Sequence, residues 1–331
     1  MSVLKISNLK KRFNLEAGFF ARFGRFVNAV NDISFSINKN ESYGLVGESG
    51  CGKTTTARLL VRMYETDSGE IIFNNSGENL SVTELKKDAL KFYREKVRYI
   101  FQDPARSLNP RMSVYEVLVS GCRKPLRRKG VGEKELREKA ACILEEVGLQ
   151  ADDLEKRPSE FSGGQRQRIS IARALLMEPE VLICDEVVSA LDVSIQGQIL
   201  NLLLDIRKKR NISFLFIAHD LKVACYFCDR IGVMYKGELM EEAAANDLYI
   251  EGLHPYTKLL FSSATGNQKA ENGEWGAVSK TLTNNPLPAS AHSCSFAPRC
   301  PNAAEKCYSE HPAMIKVKEN HLIRCFNYKQ D

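Results

Sequence analysis

The sequence predicts an α/β fold around a parallel sheet, and three observations predict it. A short apolar stretch at residues 43–46 leads through a glycine-rich loop into a helix-compatible segment at 54–63. Two more apolar runs, at 181–184 and 214–218, end at polar residues, as strands buried on both faces of a parallel sheet do. Residues from about 103 to 176 are mostly helical in pattern. In that stretch one apolar helical face, closed by Gly148, consists of Leu136, Ala140, Ile143, Leu144 and Val147.

The loop at residues 47–54 reads Gly-Glu-Ser-Gly-Cys-Gly-Lys-Thr and matches G-x-x-x-x-G-K-[ST], the nucleotide loop of a P-loop NTPase core. Its glycines let backbone N–H groups point at a phosphate, and the following helix adds its positive N-terminal end. Lys53 is placed to reach the β- and γ-phosphates of ATP, and the Thr54 hydroxyl to bind Mg²⁺. The alternative is a glycine-rich turn with a chance lysine, which the flanking strand and helix disfavour. The predicted ATP-binding residues are Gly47, Glu48, Ser49, Gly50, Cys51, Gly52, Lys53, Thr54 and Thr55, with Cys51 a small filler in the loop.

A second motif, Ser162-Gly163-Gly164-Gln165, lies far along the chain. By itself this motif is weak evidence for a binding site, because Ser-Gly-Gly-Gln occurs in ordinary loops. Its position strengthens it, since Ser162 can N-cap a helix from about residue 165 to 175, and the start of a helix attracts anions. The sequence therefore predicts two phosphate sites in one chain.

Together these motifs resemble the nucleotide-binding subunits of ABC transporters, over nearly the whole chain. Four more elements occur in the family's order: Gln102 matches the Q-loop glutamine, residues 181–186 the Walker B strand, residues 189–192 the D-loop, and His219 the switch histidine. The resemblance implies a core with an antiparallel β-subdomain and a helical subdomain. It also implies that Ser162, Gly163, Gly164 and Gln165 complete the ATP site of an opposite subunit, with Asp192 among the ATP-binding residues, so that a monomer hydrolyses ATP poorly.

The residues of the later motifs also have chemical reasons to be there. Four apolar residues before Asp185 predict a buried strand, which would place this carboxylate, a predicted Mg²⁺ ligand, at the sheet edge where α/β folds bind ligands. Glu186 points elsewhere and can polarise the attacking water as general base. The resemblance implies that Gln102 contacts Mg²⁺ or that water and that His219 contacts the γ-phosphate. The alternatives are a solvated helix start for the acidic pair, a surface glutamine and a structural histidine.

Flanking sequence resembles the oligopeptide/dipeptide importers of that family, at residues 101–111, 233–237 and 254–260. Ser-Leu-Asn-Pro-Arg at 107–111 is closer to the F-type than to the D-type ATPase of such importers. The resemblance implies a subunit that powers peptide import at the cytoplasmic face of the cell membrane. Its partners would be a second, non-identical ATPase, two transmembrane permease subunits and, indirectly, an extracytoplasmic peptide-binding protein. The alternatives are an importer of nickel or another small solute, and a soluble non-transport ABC ATPase acting on nucleic acid or ribosomes.

Two details are particular to this chain. Val187-Val188 follows the acidic pair, where family members usually carry proline or alanine, and we expect local repacking with the catalytic pair intact. The aromatic and basic insert at residues 19–26 offers Phe23 or Phe26 to stack on adenine. Burial of these rings against the β-subdomain is the alternative.

Composition agrees with a cytosolic protein that reaches the membrane through partners. The chain has 331 residues and a formal net charge of +6, which is too modest to indicate a nucleic-acid partner. No apolar run approaches the roughly 18 to 20 residues that span a bilayer, and the N-terminus has no signal-peptide core. The basic run at 123–129 is interpreted as a solvated loop, with contact to lipid headgroups as the alternative.

The resemblance divides the chain into a nucleotide-binding domain at residues 1–262, with its helical subdomain at about 103–176, and an extension at 263–331. The extension begins with a polar linker at about 264–292 and then carries Cys294, Cys300, Cys307 and Cys325. Disulfides are not expected in a cytosolic chain, which favours metal ligation. Similar cysteines in peptide-importer ATPases ligate a [4Fe-4S] cluster, which the resemblance implies here, without a direct part in hydrolysis. The alternatives are a structural zinc site and four reduced, packed cysteines.

Overall fold

The computed structural model describes residues 1–14, 26–265 and 293–329. The strands are β1 (Ser2–Asn14), β2 (Phe26–Asn38), β3 (Ser42–Val46), β4 (Ser68–Asn75), β5 (Glu78–Ser81), β6 (Val97–Ile100), β7 (Val181–Asp185), β8 (Ser213–Ala218), β9 (Arg230–Tyr235), β10 (Glu238–Ala244), β11 (Ile315–Lys318) and β12 (His321–Ile323). The α-helices are α1 (Lys53–Leu60), α2 (Lys87–Lys96), α3 (Pro104–Ser107), α4 (Val114–Val119), α5 (Arg123–Arg128), α6 (Glu133–Glu146), α7 (Gly163–Leu175), α8 (Val193–Arg210), α9 (Leu221–Phe227), α10 (Ala245–Glu251), α11 (Pro255–Thr265) and α12 (Glu305–Ser309).

The larger of two sheets has eight strands in the order β11-β12-β10-β9-β3-β8-β7-β6. Its centre, from β9 to β6, is parallel, as the apolar runs predict. Strands β7 and β8 are buried along their full length. Leu182 and Phe214 belong to the apolar core on one face of this sheet, and Ile183 and Leu215 to the core on the other. Burial on both faces explains why these strands are continuous apolar runs.

The smaller sheet is antiparallel, with four strands in the order β2-β1-β4-β5. Ile33 of β2 and Ile71 of β4 are fully buried, and they share one apolar core with Leu45 of β3 and Leu59 of α1. The small sheet therefore packs over the strand and helix that flank the nucleotide loop. This arrangement confirms the predicted α/β class with an antiparallel subdomain.

Between β6 and β7 the described chain forms only helices and turns, from α3 to α7. Helix α6 buries Leu136, Ala140, Ile143 and Leu144, which lie on the predicted apolar face. Gly148 follows with a φ of 76°, in the left-handed region that glycine adopts readily after a helix. Helix α7 begins after Ser162, the predicted N-cap.

The prediction of a solvated loop at residues 123–129 is wrong. Residues Arg123–Arg128 form helix α5, and Pro125 lies in its first turn, where a proline is tolerated. Leu126 is buried, and Arg123 and Arg127 both pair with Glu133 of α6, at 2.9 Å each. The sequence pattern missed a helix that is held in place by contacts with the next helix.

The described part of the C-terminal extension joins the larger sheet. Strand β12 pairs with β10, where Ile323 lies opposite Glu241, and β11 covers the outer edge of β12. The Glu241 carboxylate is buried: it lies 2.7 Å from His321 Nε2 and accepts hydrogen bonds from the backbone N–H groups of Leu253 and His254. A buried carboxylate needs such partners, so this network seats the β11–β12 hairpin against the rest of the chain.

Candidate active site

The nucleotide loop connects β3 to α1, and two of its glycines are required by close backbone contacts. Gly47 has a φ of 152°, and a Cβ there would lie 2.1 Å from the Met234 carbonyl oxygen. Gly52 has a φ of 110°, and its Cβ would lie 2.1 Å from the Ala29 carbonyl oxygen. Any side chain at either position would displace backbone, so these glycines fix the loop against β9 and β2.

Lys53 lies at the first position of α1 with only 4% of its surface exposed. Its ammonium donates hydrogen bonds to the carbonyl oxygens of Gly47 (2.8 Å) and Glu48 (2.9 Å). A buried cation whose hydrogen bonds go to neutral oxygens is suited to an anionic ligand, since burial of an uncompensated charge is costly. Ser49 and Gly50 form the exposed tip of the loop, and Thr55 is half-buried on α1.

Asp185 ends β7 at the carboxyl edge of the sheet and is 2% exposed. The Thr54 hydroxyl donates a hydrogen bond to Asp185 Oδ1 at 2.9 Å, so two of the three predicted Mg²⁺ ligands, the third being Gln102, are in contact. A hydroxyl and a carboxylate at such a distance present the oxygen ligands that Mg²⁺ prefers. The Tyr99 hydroxyl of β6 donates to the other carboxylate oxygen. Tyr99 is a site residue that the sequence did not predict, because no motif contains it.

Glu186 turns away from β7 with a φ of 49°, an uncommon conformation for a residue with a side chain. The Gln102 amide Nε2 donates to Glu186 Oε2 at 2.7 Å, and His219 Nδ1 lies 4.0 Å from the same oxygen. Two predicted catalytic residues, Gln102 and His219, therefore approach the carboxylate of the third, Glu186, and each of the three follows a different parallel strand. This is the arrangement expected at the carboxyl edge of an α/β sheet.

The second motif forms a capping box at the start of α7. The Ser162 hydroxyl accepts a hydrogen bond from the Gln165 N–H, and the Gln165 side chain accepts one from the Ser162 N–H. A Cβ on Gly164 would lie 2.7 Å from Ile195 Cγ2, so α7 begins close against α8, which follows Asp192 as N-cap. Within residues 1–14, 26–265 and 293–329, no hydrogen bond or ion pair joins this motif to the nucleotide loop.

Val187 and Val188 are both buried in the main apolar core, and the Glu186–Gln102 contact is present beside them. Phe26, one of two rings predicted to stack on adenine, is 61% exposed, and the Arg12 guanidinium lies 5.7 Å from its ring centre. The other ring, Phe23, lies outside the described residues.

The four C-terminal cysteines are described, and they do not support the predicted iron–sulfur cluster. Among the described residues, no group of three or more Cys, His, Asp or Glu side chains is arranged to hold a metal ion. Burial raises the thiol pKa of Cys294 and Cys325, and raises that of Cys300 to about 11. A raised pKa disfavours the thiolate, which is the form that binds metals. The backbone N–H of Cys294 donates a hydrogen bond of 2.9 Å to the carbonyl oxygen of Cys307.

Two family profiles match this chain. The profile described as "ABC transporter" matches residues 30–189, and the profile described as "Oligopeptide/dipeptide transporter, C-terminal region" matches residues 240–307. The chain belongs to the ABC transporter family, as one of its ATP-binding subunits, in which ATP hydrolysis is coupled to transport.

Two relatives from Bacillus subtilis (strain 168) are similar over most of the chain. The oligopeptide transport ATP-binding protein OppF is 48% identical over 79% of this chain and 82% of its own length. The oligopeptide transport ATP-binding protein AppF is 39% identical over 99% of this chain and 98% of its own length. Among solved structures, the ATP-binding cassette MJ0796, in a dimeric post-hydrolysis state bound to ADP and Pi, has a TM-score of 0.63 and 26% identity, and the match covers 73% of this chain and 98% of that one.

Proposed function

We propose that this chain is the ATP-hydrolysing subunit that powers import of peptides across the cytoplasmic membrane. The observation that carries the proposal is the similarity, over 79% and 99% of the chain, to two proteins named for oligopeptide transport. The match of residues 240–307 to the C-terminal region of oligopeptide and dipeptide transporters supports the same cargo class.

The contacts at the sheet edge support a division of roles in hydrolysis. Lys53 neutralises phosphate charge, while Thr54 and Asp185 would hold Mg²⁺, which would supply further charge neutralisation to the phosphates. Glu186 is the general base, because its carboxylate lies at the meeting point of Gln102 and His219. Gln102 orients this carboxylate through its 2.7 Å hydrogen bond. His219, which lies 4.0 Å from the same carboxylate, would contact the γ-phosphate.

The second motif serves the ATP site of a second subunit. It is an ordered helix start that has no hydrogen bond or ion pair to the nucleotide loop within the described residues, which leaves it available to another chain. Because residues 107–111 resemble the F-type ATPase of peptide importers, that other chain would be a non-identical ATPase. The purified chain should then be mostly monomeric with slow turnover, and rapid, cooperative hydrolysis at low protein concentration would favour a homodimer instead.

Two permease subunits would dock beside the cleft lined by Tyr99, Gln102 and Asp185, which makes the subunit peripheral to the membrane on its cytoplasmic face. A groove of about 710 Å³ adjoins this cleft, and both are lined by Arg98, Ser120 and Gly121. The groove wall is strongly basic, with Arg94, Arg123, Lys124 and Arg128 around the apolar Met112 and Val119. Among the described residues no helix is long and apolar enough to cross a membrane.

Uptake measurements test the cargo. A strain that lacks this chain would be complemented with the wild type or with Glu186→Gln, and uptake of a radiolabelled tripeptide and of radioactive nickel would be measured separately. We expect the wild type alone to restore peptide uptake. Restoration of nickel uptake without peptide uptake would identify a small-solute importer. A chain that restores neither and co-purifies with ribosomes would be a non-transport ATPase.

A further inference from the structure

The C-terminal extension reaches the nucleotide loop through one side chain. Arg299, at the end of the 3₁₀ turn Ala297–Arg299, donates two parallel hydrogen bonds to the Glu48 carboxylate, Nη1 to Oε2 and Nη2 to Oε1, each 2.8 Å long. The two residues are 251 positions apart in the chain. Paired hydrogen bonds of this kind are the most directional way in which a guanidinium binds a carboxylate.

Arg299 is held in place by aromatic side chains. Its guanidinium carbon lies 5.7 Å from the ring centre of Tyr235 and 5.8 Å from that of Phe296, within the range of cation–π attraction. Phe296 is 1% exposed and packs edge-on against Tyr235. Because β12 is also joined to β10, Arg299 extends from a packed part of the structure and needs little ordering to meet its partner.

Glu48 makes hydrogen bonds through its carboxylate, its backbone N–H and its carbonyl oxygen, and each bears on the nucleotide loop. Its carboxylate accepts the two bonds from Arg299, its backbone N–H donates to the Tyr256 hydroxyl at 2.9 Å, and its carbonyl oxygen accepts from Lys53 Nζ at 2.9 Å. The hydrogen bonds from Arg299 hold the pKa of the Glu48 carboxyl below its usual value, so the carboxylate stays charged to a lower pH than that of a free glutamate. Arg299 and the Lys53 ammonium, which is proposed to bind phosphate, therefore both bind Glu48.

We propose that Arg299 is a positioning residue for ATP binding: the C-terminal extension holds the nucleotide loop through Glu48, and its displacement weakens ATP binding by the same chain. This inference rests on the proposed function, because it assumes that the loop binds ATP. It assigns the extension a role that its sequence did not predict. Tyr256 provides a second, backbone contact, so the loop is not expected to unfold when Arg299 is lost.

Equilibrium titration of the full chain with Mg²⁺ and a fluorescent ATP analogue tests the proposal. Arg299→Ala should raise the dissociation constant about two- to fivefold, the range expected for an ion pair whose two side chains are 41% and 40% exposed. Arg299→Lys keeps the charge without the paired geometry and should give an intermediate value. Lys316→Ala is the matched control, since it removes an equal charge from an exposed position of the same extension and should leave the dissociation constant unchanged.

A double-mutant cycle separates positioning from general loosening. If the pair acts as a unit, Glu48→Gln combined with Arg299→Ala should bind no more weakly than Arg299→Ala alone. Wild-type affinity for Arg299→Ala, additive losses in the cycle, or an equal loss for Lys316→Ala would each overturn the inference. If Lys53→Ala loses binding while Arg299→Ala keeps it, the proposed function stands and only this inference fails. Absence of binding by the wild type would overturn both.

Discussion

The Gln102 side chain donates a hydrogen bond of 2.7 Å to the Glu186 carboxylate, although 84 residues separate them in the chain. The same carboxylate oxygen lies 4.0 Å from His219 Nδ1. A hydrogen bond of this length holds the carboxylate in one orientation. The proposed general-base role of Glu186 depends on this arrangement of the three side chains.

We predict that Glu186→Gln leaves ATP binding nearly intact and lowers the rate of ATP hydrolysis by a factor of about 10² to 10⁴, the usual effect of losing a general base. ATP would then accumulate in a closed dimer, because binding continues and turnover does not. The measurement is steady-state phosphate release by the purified complex, with a parallel titration of nucleotide. Hydrolysis at the wild-type rate would remove Glu186 from the catalytic assignment.

Lys53→Ala and Ser162→Arg should separate the two halves of the composite ATP site. Lys53 is proposed to bind phosphate in its own chain, so its loss should weaken nucleotide binding and abolish transport together. Ser162→Arg places a bulky cation at the start of α7, which should spare ATP binding by the isolated chain and block dimer closure. Equilibrium binding and size-exclusion chromatography with the Glu186→Gln background provide the comparison. Equal loss of ATP affinity in both variants would contradict a site shared between subunits.

Gly52→Ala should damage the nucleotide loop more than Gly50→Ala. The added Cβ at Gly52 would lie 2.1 Å from the Ala29 carbonyl oxygen, whereas a Cβ at Gly50 meets no atom within 4 Å. Both positions have positive φ, which costs an alanine roughly 1 to 2 kcal/mol, so the difference between the variants reports the steric contact. We expect Gly52→Ala to lower the melting temperature and ATP affinity further than Gly50→Ala. Identical behaviour of the two variants would mean that the loop adapts without cost.

The stability of the folded chain should fall between pH 7 and pH 5. His254 is 1% exposed, and burial lowers its pKa to about 4, against about 6.5 in an unfolded chain. The folded state therefore favours the neutral ring, and the unfolded state binds the extra proton between these two values. The stabilisation is fully present above about pH 6.5 and is lost as pH falls, by about 2 kcal/mol at pH 5.

Urea unfolding at pH 7 and pH 5 measures this change in free energy. His254→Asn is the comparison, because an asparagine oxygen can still accept the bond that the Tyr256 N–H donates to His254 Nδ1. The variant should lose less stability between the two pH values than the wild type. An equal loss in both proteins would assign the effect to other groups.

The sequence by itself determined the elements whose information is local. The nucleotide loop, the buried strands β7 and β8, and the N-cap of α7 each depend on residues within a short segment, where glycine conformation, apolar runs and capping follow simple rules. The family resemblance added the order of the later motifs. These signals were enough for the α/β class, with residues 47–54 as its nucleotide loop.

Only the tertiary structure decided which distant side chains meet. Three contacts join segments far apart in the chain. They are the Tyr99–Asp185 hydrogen bond, the approach of Gln102 and His219 to Glu186, and the paired hydrogen bonds from Arg299 to Glu48. Their formation depends on strand order and on the packing of the extension against the sheet, which no local pattern encodes. The helix at Arg123–Arg128 was missed for the same reason, since its contacts with Glu133 lie in another helix.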